Sequence, residues 1–90
     1  MKVKIPVRGG IAQSTQGRDG GCLYVITEVH GQFVSVADGK TRTLENPKRK
    51  NVKHLRLLPR NISDEGIVWD KSFDNSIAHL LKSIKEQTNS

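Results

Sequence analysis

The sequence predicts a mainly β protein, a small antiparallel β-barrel followed by one C-terminal α-helix. Three observations indicate this fold: short apolar segments rich in β-branched residues, glycine-containing turns between them, and one helical stripe near the C-terminus. With 90 residues, the chain corresponds to a single domain with a small core. Closure into a barrel would also remove the exposed edges of an open meander, which promote aggregation.

The first two predicted strands flank a glycine-rich turn. The first strand covers Gly10 to Thr15, with Ile11 as its apolar anchor. Residues 16–21 contain three glycines and an aspartate, which is typical of a turn because glycine adopts positive φ without a steric penalty. The second strand covers Leu23 to Val29, and its alternation predicts that Leu23, Val25, Thr27 and Val29 share one face and that Tyr24, Ile26 and Glu28 share the other.

A hairpin is predicted for the middle of the chain. After a connection at His30-Gly31, residues 32–37 form the third predicted strand. Asp38-Gly39 is a strong signal for a type I′ turn, so Gly39, like Gly17 in the earlier turn, is predicted to hold positive φ. Residues 40–44 are the predicted return strand, and Asn46-Pro47 ends it because proline cannot donate to a β-ladder.

The remaining residues predict a last strand and a helix. Residues 51–57 form the strand, so the barrel, with its basic N-terminal lead-in, is assigned to 1–59 and a linker with the helix to 60–90. The helix covers Ser76 to Gln87, with Asp74 as its predicted N-cap. Its apolar stripe is expected to pack on the barrel together with Trp69. The stripe consists of Ile77, Leu80, Leu81 and Ile84.

Positive charge is concentrated in one segment of the chain. Residues 40–60 contain eight bases and one acid, whereas the rest of the chain contains seven bases and eight acids. A nearly neutral body with one cationic segment is typical of a polyanion-binding protein. The alternative is a charged loop and strand that are simply solvated.

Several classes of function lack their sequence signals. The single Cys22 excludes an intramolecular disulfide and a multi-cysteine zinc site, and the three histidines lack metal-ligand spacing. No apolar run approaches the length of a membrane span, and no apolar segment of a signal peptide follows the N-terminus. We therefore expect a cytoplasmic binding protein, not an enzyme, that uses no cofactor or metal and contacts no membrane.

Three motifs, taken in order, carry a resemblance to a known family. They are Gly17-Arg-Asp-Gly-Gly21, Val34-Ser-Val-Ala-Asp-Gly39 and the cationic segment Glu45-Asn-Pro-Lys-Arg-Lys-Asn-Val-Lys-His-Leu55. Together they resemble the KOW-domain RNA-binding proteins, in particular small bacterial relatives of the eukaryotic-type large-subunit ribosomal protein fourteen. The resemblance covers roughly Gly9 to Leu57.

The resemblance implies an SH3-like barrel of the KOW type, RNA as ligand and the ribosome as its location. The family's loop corresponds to residues 16–22 and its distal basic stretch to residues 48–53. Because Arg18 is the one base that this sequence keeps around the glycine turn, the distal stretch is the expected main contact. The candidate RNA-binding residues, expected along one side of the barrel, are Arg18, Lys40, Arg42, Lys48, Arg49, Lys50, Lys53 and Arg56.

Phosphate contacts from lysine and arginine to folded RNA would supply the affinity, with little reading of sequence. 

The four aromatic residues of the chain are too few for a protein that stacks single-stranded bases on an aromatic surface. We therefore expect a monomer that binds ribosomal RNA by backbone and shape, with ribosomal proteins as further partners. The alternative is a protein-interaction module of the transcription-elongation type, which would need an exposed apolar patch.

Overall fold

A computed structural model describes residues 5–15, 20–62 and 69–88 of the chain. Within these residues, five strands form an antiparallel sheet, and a C-terminal helix packs against it. The strands are β1 (Gly10–Ser14), β2 (Leu23–His30), β3 (Phe33–Ala37), β4 (Lys48–Asn51) and β5 (Leu55–Asn61). The helical elements are a first 3-10 helix (Val52–His54), a second 3-10 helix (Lys71–Phe73) and α1 (Asp74–Thr88).

The sheet is not closed into a barrel, in contrast to the prediction from the sequence. Its hydrogen-bonded order is β4-β3-β2-β1-β5, so β4 and β5 are the two edges. Between these edges the chain turns through the first 3-10 helix, and no ladder joins β4 to β5 in the part of the chain that the structure describes. The predicted mainly β fold with a C-terminal helix is confirmed.

The open sheet is nevertheless strongly curved. Lys50 on β4 donates a hydrogen bond from Nζ to Oγ of Ser14 on β1, at 2.9 Å. These strands lie three positions apart, which would be roughly 14 Å in a flat sheet. The first 3-10 helix also forms hydrogen bonds next to both β3 and β1. Val52 N donates to the carbonyl of Gln32, which precedes β3, at 2.8 Å, and Thr15 N, which follows β1, donates to the carbonyl of His54 at 3.0 Å. The two edges therefore approach each other at this end.

Each face of the sheet buries its own apolar cluster. The inner cluster fills the concave face and consists of Ala12, Tyr24, Ile26, Val34, Val36 and Leu55. The helix cluster lies on the opposite, outer face and consists of Ile11, Val25, Ile77, Leu81 and Ile84. Because β2 contributes to both clusters, its residues are apolar on both faces, which explains the continuous run of apolar residues in this strand.

A β-bulge in β2 changes the predicted alternation. The register with β3 shifts between Ile26 and Glu28, so that Ile26 lies opposite Val36 but Glu28 lies opposite Ser35. The extra residue, Thr27, moves every later side chain to the other face. Glu28 therefore shares the outer face with Val25, and the predicted placement of Glu28 beside Tyr24 and Ile26 is wrong.

The predicted return strand at residues 40–44 is wrong, because this segment is a loop. The carboxylate of Asp38 accepts hydrogen bonds from Lys40 N and Arg42 N, both at 2.9 Å, and the Arg42 carbonyl accepts from Asp38 N. These bonds close a compact turn in place of a two-residue hairpin. The strand that pairs with β3 comes later, at β4. Gly39 holds φ 80°, which confirms its predicted positive φ, whereas Gly17 lies outside the described residues.

The C-terminal helix packs as predicted but begins earlier. It starts at Asp74, two residues before the predicted start at Ser76. Its apolar stripe faces the sheet: Ile77, Leu81 and Ile84 are buried, and Leu80 is partly buried against the same cluster. Asp74 is not the N-cap, since it is already helical and its carboxylate binds Leu44 N. The preceding second 3-10 helix is capped instead by Asp70.

Trp69 joins the tail to the sheet, as expected from the sequence. It is partly buried against the helix cluster, and its ring meets that of Phe73 edge to face with 5.5 Å between the centroids. The guanidinium of Arg8 lies 4.8 Å from the Trp69 ring centroid on the side of the N-terminal segment. This aromatic residue therefore links residues before β1 to residues before α1.

Candidate nucleic-acid interface

The basic residues of β4 point to both faces of the sheet. Lys48 and Lys50 lie opposite Val36 and Val34, which are buried in the inner cluster, so both lysines are on the inner face. Arg49 lies opposite Ser35 and is on the outer face. The expectation that the basic residues line one side is therefore wrong for β4, because successive side chains of a strand alternate.

Lys50 has a structural role as well as a charge. Its ammonium donates to the hydroxyl of Ser14, whose exposed fraction is 1%. Its aliphatic stem is half-buried beside Val34, as lysine stems commonly are at the border of a core. Lys48, beside Val36, is half-buried in the same way. These two lysines therefore help to cover the inner cluster at its β4 edge.

Arg49 is stacked on an aromatic ring. Its guanidinium carbon lies 4.3 Å from the centroid of Phe33 on the neighbouring strand. Phe33 pairs with Asn51, two residues after Arg49 on β4, so the two side chains share the outer face and meet diagonally. Arg49 is exposed and Phe33 is half-buried. The contact is a cation–π interaction that orients the guanidinium at the edge of the sheet.

Two more candidate residues are exposed, one next to β4 and one on the opposite edge strand, β5. Lys53 lies in the first 3-10 helix, which is capped by the side chain of Asn51 accepting from Lys53 N at 3.0 Å. Arg56 lies on β5 opposite Gln13 and is also exposed. Lys53 thus extends the basic edge beyond β4, whereas Arg56 belongs to the other edge strand.

Lys40 and Arg42 belong to the loop that precedes β4. Lys40 is exposed and borders a groove of about 500 Å³ between this loop and α1, whereas Arg42 is half-buried. The groove has an apolar floor and is bordered by two lysines of α1. The floor consists of Leu23, Ala78 and Leu81, and the two lysines are Lys82 and Lys85. The acidic residues Asp38 and Glu86 also line the groove.

Sequence reasoning missed the two helix lysines and the aromatic partner of Arg49. Lys82 and Lys85 are not among the candidate residues, because no local pattern indicates that the loop at residues 38–44 packs on α1. Pairing β3 with β4 would have placed Phe33 and Arg49 on the same face, because side chains alternate along each strand. The prediction instead paired β3 with a return strand at residues 40–44. Arg18, the remaining candidate, lies outside the described residues.

Two further properties concern other classes of site. Among residues 5–15, 20–62 and 69–88, no three histidine, cysteine, aspartate or glutamate side chains gather in a group that could hold a metal ion. Nor does this part of the chain contain a helix long and apolar enough to cross a membrane.

Comparison of the whole chain with known proteins gives no assignment. No protein-family model matches the sequence, and no curated protein matches it. The resemblance to KOW-domain proteins therefore remains a prediction, carried by the three sequence motifs.

Proposed function

We propose that this protein binds folded RNA, in particular ribosomal RNA, through phosphate contacts from the edge of its sheet. The observation that carries the proposal is the cationic edge formed by β4 and the first 3-10 helix. Four bases lie within six residues there, and Arg49 and Lys53 are exposed. Lysine and arginine at such an edge neutralise phosphates and release counterions, which gives affinity without reading sequence.

The curvature of the sheet supports the finer fold assignment that this function implies. We propose that the domain is an SH3-like, partly open barrel of the KOW type. The hydrogen bond between Lys50 and Ser14 and the bridging position of the first 3-10 helix bring the two edges together at one end. In a domain of this shape the edge strand β4 would contact the backbone of folded RNA.

The proposed working location is the bacterial ribosome, in the cytoplasm, with ribosomal proteins as neighbours. This part of the proposal rests on the three sequence motifs and on the concentration of positive charge in residues 40–60, since the rest of the chain is nearly neutral. A monomer is sufficient for it, since the cationic edge is formed within one chain.

The test of RNA binding compares two exposed lysines in equivalent settings. Lys53 and Lys71 each lie in a three-residue 3-10 helix, the first beside β4 and the second before α1. We expect Lys53→Glu to weaken binding to a ribosomal RNA fragment and co-sedimentation with ribosomes, and Lys71→Glu to leave both unchanged. Adding Arg49→Glu to Lys53→Glu should weaken binding further. Lys48 and Lys50 are kept, because both help to cover the inner cluster and Lys50 binds Ser14.

The dependence of binding on salt gives a second readout. If four to six phosphates are neutralised, the plot of log K against log salt should have a slope of roughly −3 to −5. Each lost phosphate contact should reduce the magnitude of that slope by roughly 0.7–0.9. Equal losses for Lys53→Glu and Lys71→Glu would show that only net charge matters. Unchanged binding by the folded double variant would place the function on another surface.

A protein-interaction module is the second candidate function, favoured by the groove between the loop and α1. Its apolar residues, and its excess of three lysines over two acidic residues, suit a protein segment that combines an aliphatic side chain with acidic residues. Ala78→Glu would place a charge on this floor. If ribosome association is lost in this variant while binding to purified RNA is retained, the groove contacts a protein. If both are retained, this second function is excluded.

A further inference from the structure

Phe33 is an aromatic residue that neither apolar cluster uses. It begins β3 on the outer face, is half-buried, and packs in neither the inner cluster nor the helix cluster. The guanidinium of Arg49 covers its ring instead, 4.3 Å from the centroid. Because burial of aromatic area in a core is a large stabilising contribution, an aromatic side chain outside the core suggests a use other than packing.

Polar side chains surround this stack on the outer face. The ladders place Asn51 of β4 and His30 of β2 directly opposite Phe33 on its two sides. The side-chain oxygen of Asn51 accepts from Lys53 N, so its amide group is oriented with its donor hydrogens available. His30 Nε2 lies 3.0 Å from a carboxylate oxygen of Glu28, and both side chains are more than half exposed. Hydrogen-bonding groups therefore flank, on both sides, the aromatic residue that the exposed Arg49 covers.

We infer that the Arg49–Phe33 stack is a binding site for one unpaired base of the RNA. The base would stack on the face of the guanidinium that points away from Phe33, and the flanking side chains would contact its edge. This inference rests on the proposed RNA-binding function and adds to it a structural feature of the ligand, a bulged or looped-out nucleotide.

The choice of a base over a phosphate follows from the geometry of arginine. A guanidinium is planar and weakly hydrated, and it stacks on π-systems through its faces while it donates hydrogen bonds from its edge. The guanidinium carbon lies over the Phe33 ring, and this contact restricts the position of the guanidinium, so that less entropy is lost when a base stacks on it. Stacking of unpaired bases on arginine planes is a common mode of RNA recognition. A lysine at this position could bind a phosphate but could not provide such a plane.

The test uses two RNA hairpins that differ in a single bulged 2-aminopurine nucleotide. We expect wild type to bind the bulged hairpin more tightly than the fully paired one, and to change the 2-aminopurine fluorescence on binding. Arg49→Lys keeps the charge and should lose the preference, by about 5- to 150-fold, which corresponds to the range for one stacked base. Phe33→Leu should reduce the preference as well, because the guanidinium loses the ring that orients it.

Arg8→Lys is the matched control, since it makes the same change at an exposed arginine that lies over an aromatic ring, that of Trp69, and is not a candidate RNA-binding residue. It should keep the preference for the bulged hairpin. Thermal unfolding of Phe33→Leu verifies that the variant is folded at the temperature of the binding assay. The inference is overturned if Arg49→Lys weakens both hairpins equally or neither, or if Arg8→Lys removes the preference too. Failure of wild type to bind either hairpin would instead overturn the proposed RNA-binding function.

Discussion

The carboxylate of Asp74 accepts a hydrogen bond from the backbone N–H of Leu44, with 2.9 Å between Oδ1 and the nitrogen, although 30 residues separate them. Asp74 is the first residue of α1 and is buried, with an exposed fraction of 8%. Leu44 belongs to the loop that carries Lys40 and Arg42. The bond therefore fastens a basic loop to the helix, and α1 helps to position two candidate RNA contacts.

Removal of this hydrogen bond should release the loop. Asp74→Ala leaves the Leu44 N–H without its acceptor, and we expect the free energy of unfolding to fall by roughly 1–3 kcal/mol. Asp74→Asn keeps an acceptor oxygen and should cost less. Chemical denaturation measures the loss, and amide exchange of Leu44 locates it. Slow exchange of Leu44 in a folded Asp74→Ala protein would contradict the role of this bond.

Close contact between Gly39 and α1 gives a second prediction. Gly39 and Gly31 both hold positive φ, at 80° and 63°. A methyl group at Gly39 would overlap the carbonyl oxygen of Asp74 and lie 2.9 Å from Ala78 N, whereas one at Gly31 would meet nothing within 4 Å. We expect Gly31→Ala to cost about 1–2 kcal/mol from backbone strain. Gly39→Ala should cost roughly 1–3 kcal/mol more, and equal denaturation midpoints would show that the loop is not packed on α1.

Docking of α1 is the third prediction. Ile77 is fully buried in the helix cluster, so Ile77→Ala should lower the free energy of unfolding by about 2–5 kcal/mol. His79, exposed on the same helix, provides the control, and His79→Ala should have little effect. Amide exchange of the wild type checks the docking directly. If the amides of α1 exchange as fast as those of an unfolded chain, the helix is not packed on the sheet.

The pH dependence of stability should report the cap of the second 3-10 helix. Hydrogen bonds from the hydroxyl and the backbone N–H of Ser72, together with the nearby charge of Lys71, hold the pKa of Asp70 below its usual range. The pKa of Asp70 in the unfolded chain is about 3.9. Because the pKa is lower in the folded state, the ionised cap stabilises the protein above that value, and this contribution is lost as pH falls through the folded pKa.

Asp70→Asn should therefore be less stable than wild type at neutral pH, and the difference should begin to decline near pH 4 and vanish once the pH is below the folded pKa of Asp70. Thermal unfolding over this range measures it. Ser72→Ala, which removes one of the two donors, should show a smaller difference with the same pH dependence. A difference between Asp70→Asn and wild type that persists in strong acid would mean that the charge of Asp70 does not stabilise the cap.

Local sequence patterns predicted the elements in which buried apolar residues recur at the spacing of a strand or of a helix. The apolar alternation predicted β2 and β3, and the spacing of Ile77, Leu81 and Ile84 predicted α1 and the face that packs on the sheet. The positive φ of Gly39 was also predictable, because it depends on local turn chemistry. The bulge at Thr27 could not be predicted in this way. It depends on how β2 pairs with both β1 and β3, and not on the residues of β2 alone.

For the candidate site, charge identified which residues to examine but not where they lie. Arg49 and Lys50 are neighbours in sequence, yet one covers Phe33 on the outer face and the other reaches Ser14 across the inner face. Alternation separates them only after β4 is paired with β3. The convergence of Lys40 and Lys82 on one groove likewise depends on how the loop packs against α1.

The sequence by itself determined the cationic segment, the apolar strands β2 and β3, and the amphipathic helix, because each of these depends on composition or on a short repeat. The tertiary structure alone decided that Lys48–Asn51 would be a strand, since a run of lysine, arginine and asparagine has little intrinsic β propensity. Val34 and Val36 required a neighbouring strand to complete the inner face, and the stems of Lys48 and Lys50 could cover them. Meanwhile Asp38 and Asp74 held the preceding residues in a loop through hydrogen bonds to their backbone.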